Sequence, residues 1–191
     1  MNTLTAIHSR RTVHRYRPST VDNDALMRIL DAAHQAPCHK LTWPWRFVVV
    51  GPTTRERLLE PALRLAACKY SRCDDDPAKL PPKLREKVRN KLLDPGALVV
   101  VLLRRDPDPF RDRENYAATA CAIQNLLLAA THEGLGSKWG TGGVTRDAQT
   151  ASILGVDTAS EEVVGFIFLG EPETVPKVER PPVADHTTHL P

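Results

Sequence analysis

The sequence predicts an α+β fold, a central mixed sheet with helices packed on both sides. Three continuously apolar runs carry that expectation: Trp45 to Val50, Ala97 to Leu103 and Val163 to Leu169. Each reads as a strand covered on both faces. Helical segments lie between them but not in a strict strand–helix rhythm, and an α+β arrangement fits that order best. The length, 191 residues, suits one domain spanning 1–191, and 41% hydrophobic residues suffice for a core. Aromatics are only 5%, so aliphatic side chains must do most of the packing.

Taken in order, residues 2–9 predict a short helix leading into Arg10 and Arg11, and Pro18 ends that region. Asp22 can cap a helix that places Leu26, Ile29, Leu30 and Ala33 on one face, and Pro37 stops it. A polar loop holding Cys38, His39 and Lys40 leads to the first strand, which Gly51–Pro52 breaks. Residues 54–70 read as a helix kinked or split by Pro61. Residues 71–82, with three aspartates and three prolines, read as a solvated loop before a charged helix over 83–93. After the second strand a long helix is expected over 114–133. Between Tyr116 and Ala130 its clearly polar residues are only Thr119, Gln124 and Asn125. Such a helix needs cover on every side, some of it from a second subunit. Gly134 and Gly136 end it, and a glycine-rich loop over 138–143 follows. Thr145 is the expected cap of a short helix ending at Gly155. The segment 171–191 holds five of the sixteen prolines and reads as an extended C-terminal arm lying against another surface.

The formal net charge is +3, with acids and bases mixed along the chain. A dedicated nucleic-acid binder gathers a stronger excess on one face. Cys38, Cys68, Cys73 and Cys121 include no C-x-x-C pair, so reduced thiols are expected. No apolar run approaches the roughly 20 residues that span a bilayer, and no cleavage signal opens the chain. The expectation is a soluble, cytoplasmic protein.

Three constellations can carry chemistry. Residues 9–17, Ser-Arg-Arg-Thr-Val-His-Arg-Tyr-Arg, hold four arginines, a histidine and two aliphatic hydroxyls. Guanidinium forks bind phosphate oxygens bidentately, although a solvated basic face or a nucleic-acid contact has the same composition. Residues 36–47 join a helix end, a polar loop and a strand, and set Trp43 and Trp45 about Pro44. Those rings can stack on a flat ligand or fill a core. Residues 134–143 are glycine-rich but match neither G-x-G-x-x-G nor a P-loop. Other candidates fall short. His186 and His189 beside Asp185 have no further ligand at metal spacing, and Asp74–Asp76 lacks the rest of a calcium loop. Cys38 next to His39 is a poor nucleophile–base pair because adjacent residues rarely meet productively.

Taken together, the ordered set resembles the nitroreductase family of FMN enzymes. Arg10-Arg11-Thr12 comes first, then Ala36-Pro37 and Pro44-Trp45-Arg46-Phe47. Gly134-Leu135-Gly136 follows, and residues 164–172, Val-Gly-Phe-Ile-Phe-Leu-Gly-Glu-Pro, come last. Ala36-Pro37-Cys38-His39-Lys40 and Trp139-Gly140-Thr141 look most like its short bacterial branch.

The resemblance implies the nitroreductase-like fold and an obligate homodimer with FMN at the subunit interface. It implies that Arg10, Arg11, Thr12, Trp139, Gly140 and Thr141 hold the cofactor from one subunit. Gln35, Pro37, Cys38 and His39 would reach it from the partner. It implies hydride transfer from NAD(P)H and reduction of a nitroaromatic, quinone or similar small acceptor by a ping-pong mechanism. No residue acts as catalytic acid or base, and no metal, membrane or nucleic acid takes part. The chain departs from the family pattern at Leu41 and Trp43, where Asn and Gln are common, and at His14 and Gln35, where basic residues are common. Arg180 is a candidate for the family's C-terminal phosphate grip. A flavin carrier or sensor without turnover, and a nucleic-acid binder using residues 10–17, stand as alternatives.

Overall fold

The protein is described from a computed structural model covering residues 1–71 and 75–191. Cys73 and Asp74, part of the predicted acidic loop, lie outside the described residues.

Four strands form one sheet: β1 (Trp45–Val49), β2 (Ala97–Arg104), β3 (Gly136–Gly140) and β4 (Glu161–Gly170), in the order β1-β2-β4-β3. Every neighbouring pair is antiparallel, so the mixed sheet expected from sequence is antiparallel in its named strands. The parallel element is a single bridge, Thr12 to Ser137.

β2 explains the layering. Side chains alternate across a strand. Val99, Val101 and Leu103 face α2 (Asn23–His34) and α5 (Pro109–His132), where Ile29, Ala33, Ile123, Leu126 and Ala130 meet them. Leu98, Val100 and Leu102 face the opposite layer. There Leu58 and Leu59 of α3 (Pro52–Ser71), Leu92 of α4 (Pro82–Leu93) and Leu154 of α6 (Ala148–Leu154) close over them. A strand buried on both faces must be apolar at every position, and Ala97 through Leu103 all are. At roughly 1.5–3 kcal/mol per buried large aliphatic side chain, this central strand is a main source of stability.

Several boundaries differ from expectation. α3 runs unbroken through the buried Pro61. α5 begins at Pro109, because Asp108 accepts from the Phe110 N–H at 3.1 Å and Pro109 suits the first helical turn. α6 is capped by Asp147, which accepts from the Thr150 N–H at 2.8 Å. Thr145 instead donates to the Gly142 carbonyl in a 3-10 turn over Gly143–Arg146. The predicted solvated loop before α4 includes a 3-10 turn, Pro77–Lys79, and Leu80 beside it is buried. No strand was expected at Gly136–Gly140, which pairs along β4.

Candidate functional site

The edge of β3 is extended by the N-terminal segment. Helix α1 (Thr3–Ser9) ends at Arg10, whose N–H donates to the Ala6 carbonyl. The chain then runs beside β3. The Val13 N–H donates to the Ser137 carbonyl at 2.9 Å, and Thr12 forms the bridge to Ser137. Val13 and Tyr16 are buried, and the Tyr16 hydroxyl donates within 3.1 Å of the Val13 carbonyl and 3.2 Å of the Phe168 carbonyl. Burial holds that phenol well above its usual range, as a permanent donor. Thr12 and His14 are exposed. The basic run is thus pinned to the sheet by its apolar members and presents polar members outward.

Its arginines divide by task. Arg17 pairs with Glu171 at 2.7 Å. The Arg11 Nη1 donates to the His8 carbonyl at 2.6 Å and the Arg10 carbonyl at 2.8 Å, so it caps the carbonyl end of α1. Arg10 is half-buried, and burial lowers its hold on the proton, helped by the positive charges of Arg180 and Arg11. Among the described residues none of these three pairs with a carboxylate. Ser9, Arg11 and residues 175–179 bound an open cleft of about 390 Å³ at this point. Three neighbouring guanidiniums, none in an ion pair among the described residues, make a place for an anion, with Glu179 as the carboxylate residue lining the cleft.

Trp139, Gly140 and Thr141 continue from Ser137 along the same edge. A β-bulge positions Trp139. Val101 pairs with Gly165 and Leu102 with Val163, leaving Val164 as the extra residue. The Trp139 Nε1 donates toward the Val164 carbonyl at 3.4 Å, and the indole lies over Gly165. Gly140 is buried against Phe168, and Thr141 is exposed.

Sequence reasoning missed a group of cations next to this edge. The Lys138 Nζ lies 3.2 Å from the His14 Nδ1. Lys138 sits opposite Phe168 in the β3–β4 register, and the Lys91 Nζ stands 5.5 Å over the Phe168 ring. Lys87 lies one turn before Lys91 on α4. Burial, then neighbouring lysines, lowers both Lys91 and Lys138, and Lys138 is the main cause that lowers His14. The only local signal was the i, i+4 pair Lys87 and Lys91 in a charged helix, which reads equally as a solvated face.

The second predicted group lies elsewhere. Gln35 ends α2 and is exposed, as are Pro37 and His39. Cys38 packs against Ala36, Trp45, Ala118 and Ala122. Its sulfur accepts the Trp43 N–H at 3.2 Å and lies 3.1 Å from the Thr42 hydroxyl, which donates to the buried Asn115 Oδ1 at 2.9 Å. This loop carries three non-glycine residues at positive φ, Lys40, Leu41 and Trp43. Trp45 is a core residue: its Nε1 donates to the His34 Nδ1 at 3.1 Å, and it is 6% exposed against 49% for Trp43.

The structure therefore brings together Arg10, Arg11, Thr12, Trp139, Gly140 and Thr141 along β3. It leaves Gln35, Pro37, Cys38 and His39 in the segment that leads from α2 into β1, the strand at the opposite edge of the sheet. Three strand spacings separate those edges, on the order of 14 Å. One copy of the chain does not unite the two groups.

Residues 7–171 match the model of the nitroreductase family. The chain is 31% identical over 186 residues to the Bacillus subtilis protein named "Putative NAD(P)H nitroreductase YfhC", covering 96% of this chain and 92% of that one. Among solved structures, a nitroreductase-like family protein from Bacillus cereus superimposes with a TM-score of 0.83 at 26% identity, covering 100% and 96% of the two chains. A nitroreductase from Desulfovibrio desulfuricans, described as putative and solved in complex with FMN, gives 0.76 at 25% identity, covering 100% and 98%. With the motifs in order along the chain and the family match running over most of its length, the chain belongs to the nitroreductase family.

Proposed function

We propose that the protein is an FMN-dependent oxidoreductase. It takes hydride from NAD(P)H and reduces a nitroaromatic, quinone or similar acceptor by alternating half-reactions. The observation that carries this reading is the gathering of Arg10, Arg11 and Arg180, none paired with a carboxylate, at the head of the edge that continues into Thr12 and Trp139–Thr141. A phosphate fits that guanidinium group, and an extended, flat molecule anchored there runs along β3. The family relative solved with FMN supports the choice of ligand.

In this reading Arg10 and Arg180 hold the phosphate, and Thr12 adds a hydroxyl donor. Arg11, tied to the carbonyls of α1, fixes the segment and adds field rather than a free fork. The Trp139–Thr141 backbone lines the ring. Bound FMN supplies the hydride chemistry, and the protein supplies orientation and charge. Gln35, Pro37, Cys38 and His39 complete the site from a second copy of the chain. The distance between the two half-sites supports that arrangement. So does the surface of α5, where Tyr116, Ala117, Cys121 and Gln124 are left exposed along its mostly apolar stretch from Tyr116 to Ala130.

Purified protein is expected to be yellow and to carry one FMN per chain. Under anaerobic conditions NAD(P)H is expected to bleach it. Colourless protein that takes up no added FMN would overturn the reading, and bound flavin that NAD(P)H leaves oxidised would make it a carrier. Arg10→Ala should weaken FMN retention by about tenfold or more, the loss of one charge-assisted bond, without unfolding the chain. Equilibrium dialysis against FMN measures it.

A further inference from the structure

The lysines beside β3 are more numerous than a flavin requires. The Lys91 Nζ stands over the face of Phe168, Lys138 lies opposite Phe168 in the strand register, His14 touches Lys138 at 3.2 Å, and Lys87 lies one turn along α4. Lys69, near the end of α3, is close enough to Lys91 for its charge to act there. Three elements, α3, α4 and β3, thus bring ammonium groups to one place, and the N-terminal segment adds the His14 imidazole. Among the described residues no carboxylate forms an ion pair with any of these lysines. Lys138 is the half-buried member, and a partly buried cation crowded by other cations without counter-charge is costly unless an anion arrives. A flavin ring offers at most one negative charge, which leaves most of this charge unanswered.

We propose that Lys69, Lys87, Lys91 and Lys138, with His14, form a recognition site for an oxyanion on the substrate that docks against the flavin. The oxyanion is either a phosphate of the hydride donor or a carboxylate of the acceptor. This rests on the flavoenzyme reading above. Lys138, half-buried on β3, forms the inner part of the site, and Lys91, exposed, stands above it on the Phe168 ring. Lys69 and Lys87, exposed on α3 and α4, form its entrance. Arg10 and Arg180 hold the cofactor's phosphate, with Arg11 adding field, so the two anion sites have different tenants.

The test uses FMN-loaded protein and the double variant Lys69→Gln, Lys87→Gln, which alters only exposed side chains. Calorimetric titrations with 2′,5′-ADP and 5′-AMP isolate the extra phosphate of NADPH. Titrations with 4-nitrobenzoate and nitrobenzene isolate the carboxylate. The expected result is that one anionic member of a pair binds the wild-type protein more tightly than its less charged partner. That preference should fall by about tenfold in the double variant and decline with added salt. Preference for 2′,5′-ADP assigns the site to the hydride donor, and preference for 4-nitrobenzoate assigns it to the acceptor. Equal binding within both pairs, or an unchanged preference in the variant, overturns the proposal. If the chain retains no flavin, the flavoenzyme reading fails separately, and the same titrations on flavin-free protein still decide the anion site.

Discussion

Gly165 has no side chain because Trp139 occupies the place where one would be. A Cβ there would lie 2.1 Å from the indole Nε1 and 2.5 Å from Cδ1. The bulge at Val164 and the glycine after it together make the seat for the one tryptophan of the candidate site that faces β4. Gly165→Ala should therefore displace the indole and destabilise the chain by about 1–3 kcal/mol, with looser FMN retention. Urea unfolding and flavin dialysis measure the two effects, and an unaltered protein would show that the Trp139 seat matters to neither stability nor flavin binding. His14 gives a second residue-scale expectation. Lys138, then burial, then Lys87, lower its pKa below the ordinary value. The folded state thus favours the neutral ring. Whatever stability this contributes is present above the unfolded pKa and is lost as pH falls through the folded one. Proton NMR should find the His14 midpoint below about 6.5, and Lys138→Gln should move it upward.

At the scale of elements, α6 shows how a short helix is held. Asp147 accepts from both the N–H and the hydroxyl of Thr150, at 2.8 and 3.0 Å, and pairs with Arg64 of α3. Burial raises its pKa, but the Thr150 bonds and Arg64 outweigh that, and the net direction is down. The contribution is present above the unfolded carboxylate pKa and lost as pH falls through the lower, folded one. Asp147→Ala removes cap and ion pair together. It should cost about 1–3 kcal/mol at neutral pH and less in acid, read by thermal unfolding across pH. The loop before β1 is held the opposite way, with positive-φ residues pinned by Cys38, Thr42 and Asn115.

For the whole molecule, the two groups of candidate site residues lie at opposite sheet edges, and a two-copy assembly follows as the expectation. Light scattering should give the mass of two chains. Arg10→Ala and a bulky Cys38→Trp variant damage opposite half-sites. Mixing and refolding them together should recover, in one of the two sites of a mixed pair, the tight flavin retention that neither shows alone. No recovery would place the whole site in one chain.

The sequence by itself determined the strands that are buried on both faces. Continuous apolar runs such as Val99–Leu103 serve one purpose, and the structure places them at the sheet centre. It also determined α2, whose cap and helical spacing are local. The order of Arg10–Thr12, Ala36–Pro37 and Trp139–Thr141 along the chain pointed to the family. Tertiary structure alone decided the rest. Gly136–Gly140 is a strand because β4 offers it partners, and its own residues carry no apolar alternation that announces one. Trp45 became core and Trp43 surface through packing against His34 and Ala118, residues 11 and 73 positions from Trp45. The lysines scattered over α3, α4 and β3 became one site only when those elements met. Local pattern reports burial and backbone preference, whereas convergence of charge is set by contacts between residues distant in sequence, and no short window contains them.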